Sequence, residues 1–122
     1  MSKRILVVED QEDSRRILRD LLSSVDYEMT EAVNGEQALA AVAKQRPDLI
    51  LMDIQMPVLD GYEATRRIKA DPALRDVPII VVTSCALSGG DEAKALSAGC
   101  DDFVPKPFSP RQLLARIRKL LP

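Results

Sequence analysis

The sequence predicts an α/β fold in which five helices cover both faces of a doubly wound, five-stranded parallel sheet. Two observations support this prediction. Short apolar runs alternate with segments of helical period along the chain, and this alternation is typical of strand-helix-strand units with parallel strands. Three of the runs are apolar at every position and two are mixed, which separates central strands from edge strands.

The first strand is the run Ile5-Leu6-Val7-Val8, and a helix near residues 12 to 24 follows it. Asp13 or Ser14 is the expected cap of this helix, because a short polar side chain accepts the free N–H groups of a first turn. An apolar stripe at helical spacing is expected to pack in the core. Its members are Ile17, Leu18, Leu21 and Leu22.

The middle of the chain contains a mixed strand, Tyr27 to Ala32, a helix near 36 to 45, and a third strand, Leu49 to Met52. The third strand ends at the carboxylate of Asp53, and a helix near 61 to 70 comes next. A charge at the end of a buried strand must be solvated, paired or used in chemistry. Asp53 is therefore the first candidate for a functional residue.

The last third of the chain contains the strand Ile79 to Val82, a helix near 90 to 98 and a short strand at Phe103-Val104. A final helix is expected from about 110 to 121. Ser109-Pro110 is its predicted start, since Ser caps helices well and Pro is favoured at the first helical position.

Strand order follows from the composition of the strands. Tyr27 to Ala32 alternates between apolar and polar residues, and the fifth strand contains Pro105, so both are predicted to be edge strands. With right-handed crossovers these edges favour the order 2-1-3-4-5, whose switch point lies between the first and third strands. Ligands of such sheets bind at the carboxyl ends of the strands.

Composition narrows the class of protein. With 122 residues and 46% hydrophobic content, the chain is expected to form one domain, residues 1–122, without a second domain. A net charge of -2 without a basic stripe argues against direct binding of nucleic acid. No stretch approaches the roughly 20 apolar residues of a membrane span, so we expect a soluble, cytoplasmic protein with no membrane partner.

The absence of His excludes His-dependent acid-base chemistry and leaves oxygen atoms as the ligands for any metal. Cys85 and Cys100 form no CxxC pair, and we expect them to be reduced, buried small residues.

Chemically active residues follow the strands at the predicted binding edge. They are Glu9, Asp10, Asp53, Thr83, Ser84 and Lys106. Carboxylates from two adjacent strands, without nitrogen ligands, suit a Mg²⁺ ion that keeps several waters. An acidic loop after the first strand repels phosphate unless a cation intervenes. Asp53 as nucleophile, Mg²⁺, the Lys106 ammonium and the Thr83 hydroxyl are the parts that phosphoryl transfer requires.

Five segments together resemble the receiver domain of two-component response regulators, and the likeness covers nearly the whole chain. The segments are Val7 to Asp10, Leu51 to Pro57, Asp60-Gly61, Val82 to Ser84, and Phe103 to Phe108. The resemblance implies a flavodoxin-like fold and a phosphorelay signalling switch. It implies no enzyme activity beyond catalysis of the domain's own phosphorylation and slow dephosphorylation.

The resemblance also implies the acceptor and its metal ligands. Asp53 would accept a phosphoryl group from the phosphohistidine of a sensor histidine kinase or a histidine phosphotransfer protein. Asp10 and Asp53 would ligate Mg²⁺ directly, and Glu9 would act through a water molecule. The backbone carbonyl of Gln55 would be the remaining protein ligand.

Further roles are implied for residues at the fourth and fifth strands. Thr83 would bond a phosphoryl oxygen, Lys106 would pair with the phosphoryl group, and the Lys106-Pro107 peptide bond would be cis. Phe103 aligns with the family's switch aromatic, although it lacks the hydroxyl of the commoner Tyr and can switch by packing alone.

The surface formed by the 90–98 helix, the fifth strand and the last helix would then change for a downstream protein partner. The expected state is a monomer or a weak dimer that depends on phosphorylation. Ser84 departs from the Ala or Gly of the family, and Gln55 and Cys85 occupy variable positions that tune the lifetime of the phosphoryl group.

Two alternatives stay open at the level of sequence. A phosphatase of the haloacid-dehalogenase type also uses an Asp nucleophile with Mg²⁺, but it needs a second Asp two residues later, where this chain has Gln55. An interaction module that is independent of phosphorylation is disfavoured, because every expected site residue is present.

Overall fold

The computed structural model describes residues 3–53, 59–83, 93, 96–105 and 108–121. The strands are β1 (Arg4–Val8), β2 (Glu28–Ala32), β3 (Leu49–Asp53), β4 (Ile79–Thr83) and β5 (Asp102–Pro105). The helices with bounds in this part of the chain are α1 (Glu12–Ser23), α2 (Gly35–Lys44), α3 (Gly61–Ala70) and the C-terminal helix (Pro110–Leu120). Ala93 and residues 96–98 are also helical, where the fourth of the five helices was predicted.

The five strands form one parallel sheet in the order β2-β1-β3-β4-β5, which confirms the predicted order and both predicted edges. The register places Val8 beside Met52 in β3 and Asp53 beside Val82 in β4. The carboxyl ends of the central strands therefore lie together at one edge of the sheet. The arrangement is the doubly wound, flavodoxin-like fold.

The core lies on both faces of the sheet, because successive residues of a strand point to opposite sides. From β1, Leu6 and Val8 pack with residues of α2 and α3, whereas Ile5 and Val7 pack with residues of α1 and the C-terminal helix. The four apolar residues Leu49 to Met52 of β3 are buried as predicted, and Asp53 at its end is buried as well. Both faces of the central strands are thus covered, and polar chemistry is confined to their ends.

The start of α1 differs from the prediction. The helix begins at Glu12 with Gln11 as its N-cap, so Asp13 and Ser14 are inside the helix and the predicted caps are wrong. The Glu9 carboxylate accepts the Gln11 N–H at 3.1 Å, and this contact turns the chain into the helix ahead of both predicted caps.

The assignment of Ile17 to the core is also wrong, because 64% of this residue is exposed. Leu18 and Leu22 are buried as predicted. A stripe of four apolar residues is wider than the line along which α1 contacts the sheet, and Ile17 lies at its outer margin.

The start of the C-terminal helix is confirmed. The Ser109 hydroxyl accepts the N–H of Gln112, the Gln112 side chain accepts the N–H of Ser109, and Pro110 occupies the first turn. This reciprocal pair is a capping box. Among the described residues, no helix combines the length and apolar character needed to cross a bilayer.

Candidate functional site

Three carboxylates lie together at the ends of β1 and β3. Each of Glu9, Asp10 and Asp53 offers one oxygen, and these oxygens all lie within 4.8 Å of one another. Glu9 and Asp53 are only 3% and 8% exposed, and Asp10 is half-buried. The register explains the meeting: Val8 lies beside Met52, so the next residues along each strand, Glu9 and Asp53, are neighbours.

The donor set fits a hard divalent cation. All three side chains offer oxygen, which Mg²⁺ and Ca²⁺ prefer, and the cluster has no nitrogen or sulfur donor among its described members. Oxygens on opposite sides of an octahedral Mg²⁺ lie about 4 Å apart, at bond lengths of about 2.0–2.1 Å. The three carboxylates are therefore close enough to share one ion with only a small contraction.

The turn that carries Glu9 and Asp10 is held by several contacts. The Glu9 N–H donates to the Ala32 carbonyl at 3.0 Å, which joins the turn to the end of β2. Arg15 Nη1 donates to the Glu9 carbonyl at 2.8 Å. Sequence reasoning did not find Arg15, because no local pattern in the sequence indicates that its side chain contacts the Glu9 carbonyl.

The other predicted site residues fall partly outside the described residues. The Thr83 backbone lies in β4 beside Pro105, one residue beyond the neighbour of Asp53. The predictions outside the described residues concern the Thr83 side chain, Gln55, Ser84, Cys85, Lys106 and the cis bond at Lys106-Pro107.

The predicted switch aromatic, Phe103, is half-buried in β5 and packs against the core on the α2 and α3 face. Its N–H donates to the side chain of Asp102 at 2.8 Å. Cys100 is buried and free, as expected. Burial, followed by the charges of Asp101 and Asp102, raises the pKa of the Cys100 thiol to about 11, so this thiol is protonated at neutral pH.

A cavity of about 520 Å³ adjoins the carboxylate cluster. Glu9 and Asp53 line it together with apolar residues of β1, β3 and β4, residues of α1, and Phe108 and Leu113. Ile17, the exposed residue of the α1 stripe, lies along it. The sequence gives no sign of this cavity, because its walls come from segments far apart in the chain.

The chain matches the family described as "Response regulator receiver domain" over residues 5–118. It is also similar to the polar-differentiation response regulator DivK of Brucella anthropi, with 40% identity over 121 residues, covering 99% of this chain and 98% of DivK. The response regulator PleD of Caulobacter vibrioides is 43% identical over 121 residues, which are 98% of this chain but only 26% of PleD.

A solved structure shows the same architecture. The receiver domain of a sensor histidine kinase from Pseudomonas aeruginosa, determined with a magnesium ion coordinated in its active-site cleft, superimposes with a TM-score of 0.92. It is 40% identical, and the match covers 99% of this chain and 98% of that chain. The chain therefore belongs to the receiver-domain family of two-component response regulators. Receiver domains are signalling switches that interact with histidine kinases or phosphotransfer proteins and with downstream targets.

Proposed function

We propose that this receiver domain is a switch controlled by phosphorylation of Asp53, with a histidine kinase or a histidine phosphotransfer protein as the phosphoryl donor. The carboxylate cluster is the main support: Asp53 ends β3, is only 8% exposed, and has Glu9 and Asp10 oxygens within 4.8 Å. A lone Asp at a strand end is usually a turn residue. Two further acids at the switch point of the sheet call for a functional explanation.

A Mg²⁺ ion fits the donor set, and the match to a receiver domain solved with magnesium in its cleft supports the same choice here. Asp10 and Asp53 would hold the ion directly, Glu9 through water, and the Gln55 carbonyl would be the remaining protein ligand. When bound, the ion supplies positive charge that offsets the carboxylates and the phosphoryl oxygens. The carboxylates hold the acceptor oxygen in a fixed place at the end of a buried strand.

The transfer itself uses one oxygen of Asp53. That oxygen attacks the phosphorus atom, the bond from phosphorus to the donor imidazole nitrogen breaks, and the imidazole leaves with the electron pair. The Thr83 hydroxyl donates a hydrogen bond to a phosphoryl oxygen, and the Lys106 ammonium pairs with another. Such prearranged donors stabilise the charge that develops in the transition state.

The acyl phosphate then shifts the population between two states of the domain. Thr83 moves toward the phosphoryl group, and Phe103 packs inward in the space behind it. A half-buried ring in an edge strand is suited to this role, because it contacts the core and still has an exposed side. The phosphate must favour the inward state over the outward state, since equal interaction with both shifts nothing.

The test is incubation with acetyl phosphate and Mg²⁺ followed by intact-mass spectrometry. We expect a single phosphoryl adduct that is absent when EDTA replaces Mg²⁺ and absent in Asp53→Asn. Asp13→Asn is the matched control, because Asp13 is an exposed carboxylate near the site and should leave the adduct unchanged. An adduct that survives Asp53→Asn, or none in the wild type, contradicts the proposal. Many turnovers per molecule on small phosphomonoesters would favour a phosphatase instead.

A further inference from the structure

Arg15 makes a forked contact behind the carboxylate cluster. It lies near the start of α1, and its side chain is only 14% exposed. Its Nη1 donates to the Glu9 carbonyl at 2.8 Å, and its Nε lies 3.1 Å from Glu31 Oε1 in β2. A guanidinium is planar and rigid, so an ion pair at Nε also fixes the direction in which Nη1 points.

The carbonyl that Arg15 contacts belongs to the peptide between Glu9 and Asp10. This peptide connects two of the three carboxylates of the cluster. The N–H of Glu9 is already held by the Ala32 carbonyl at 3.0 Å, so the backbone of Glu9 is fixed on both sides. The orientation of this peptide determines where the Asp10 side chain begins.

We propose that Arg15 is a positioning residue for the metal site, and that its bond to the Glu9 carbonyl holds the Glu9-Asp10 peptide in the orientation that brings both carboxylates to Asp53. Glu31 assists by fixing the guanidinium. The inference rests on the proposed function, because it assumes that the cluster binds a divalent cation. Groups that orient metal ligands without touching the ion typically change metal affinity 10–100-fold when they are removed.

Two simpler roles for Arg15 make different predictions. If Arg15 only clamps α1 to β2, its removal lowers stability and leaves metal affinity unchanged. If it acts only through its charge, removal of a cation near the site strengthens the binding of a divalent ion. Positioning predicts weaker binding, so the sign of the change in affinity distinguishes positioning from charge.

The experiment measures Mn²⁺ binding by EPR of the free ion, in the full chain, for the wild type, Arg15→Met, Arg15→Lys and Arg19→Met. Met keeps the length of the side chain without donors. Arg19→Met is the matched control, because Arg19 is a cation on the same helix that also pairs with Glu31, at 2.6 Å, and follows Arg15 by about one helical turn. Denaturant unfolding of each variant gives stability separately.

We expect Arg15→Met to bind Mn²⁺ about tenfold more weakly, and Arg19→Met to stay close to the wild type. Arg15→Lys should recover only part of the affinity, because an ammonium lacks the rigid fork. If Arg15→Met does not fold, Arg15→Lys tests the same contact, because it keeps the charge, and it should still bind Mn²⁺ more weakly than the wild type.

Unchanged or tighter binding in a folded Arg15→Met, or equal weakening in Arg15→Met and Arg19→Met, overturns the positioning role while the metal site stands. If Arg15→Met does not fold, wild-type affinity in Arg15→Lys overturns the positioning role. A wild type that binds no Mn²⁺ overturns the metal site and this inference together.

Discussion

Substitution of Lys69 by Met removes one ammonium that joins three parts of the fold. Its Nζ donates to the carbonyls of Arg75 at 3.1 Å and Val77 at 2.9 Å, and to Asp101 Oδ2 at 2.8 Å. The same Asp101 oxygen accepts the N–H of Ile79 at 2.8 Å. All three donors of the ammonium are therefore used, and the ammonium links α3 to the start of β4 and to the turn before β5.

The expected loss of stability follows from the exposure of each contact. The side chains of Lys69 and Asp101 are 16% and 37% exposed, so the ion pair contributes at most about 1 kcal/mol. The Val77 carbonyl is partly buried and loses its donor, which costs about 1–2 kcal/mol. The bond to the Arg75 carbonyl is exposed, and water replaces it. We expect Lys69→Met to lower the unfolding free energy by about 1–3 kcal/mol, and Tm by roughly 3–12 °C.

The assay is urea unfolding followed by far-UV circular dichroism, because the chain has no Trp to report by fluorescence. Lys44→Met is the matched control: Lys44 is exposed and also lies in the last turn of a helix, so both changes remove a similar interaction with the helix dipole. Its loss should stay within about 0.5 kcal/mol. Equal losses in the two variants would refute a net contribution from the Lys69 contacts. A double-mutant cycle with Asp101→Asn should give a coupling near 1 kcal/mol.

Two further predictions concern titratable groups. A hydrogen bond from Arg19, together with its charge and that of Arg15, holds the pKa of Glu31 below its ordinary value of 4.5. A lowered folded-state pKa stabilises the fold above the unfolded-state pKa, and this contribution disappears as pH falls through the folded-state value. The wild type should therefore be more stable than Glu31→Gln at pH 7, with a difference that shrinks below about pH 4.5; a difference that does not vary with pH contradicts this reading. Cys100, with a thiol pKa of about 11, should react with iodoacetamide at pH 8 far more slowly in the native protein than in urea, measured by mass in a Cys85→Ser background. Equal rates in the two conditions would show that burial does not protect the thiol.

The sheet was predictable because its strands differ in composition for a physical reason. A strand covered on both faces is apolar along its covered length, and β3 is apolar and buried at its first four positions, with the charged Asp53 only at its end. An edge strand tolerates polar residues and Pro, as β2 and β5 do. Order and direction then place the ends of β1 and β3 side by side, so the meeting of Glu9, Asp10 and Asp53 also follows from local patterns.

Other features depend on contacts that local patterns do not encode. The cap of α1 was predicted wrongly because the acceptor for the Gln11 N–H is the Glu9 carboxylate, which also belongs to the site. The contact of Lys69 with Asp101 joins residues 32 positions apart, and nothing near either residue indicates the other. Arg15 presents the same difficulty, because its ion pair depends on where β2 places Glu31.

The fold holds the three carboxylates of the cluster closer together than their mutual repulsion favours. Two ionised carboxylates within 4.8 Å of each other repel by roughly 3 kcal/mol or more at an effective dielectric constant of about 20. Independent side chains would move apart, but Glu9 and Asp53 are fixed by strands whose apolar residues fill both faces of the sheet. The sheet therefore brings three acidic side chains together, an arrangement that a divalent cation would stabilise. In the proposed function, cation binding would therefore come before phosphoryl transfer, and the geometry of one backbone peptide, between Glu9 and Asp10, would matter for the whole site.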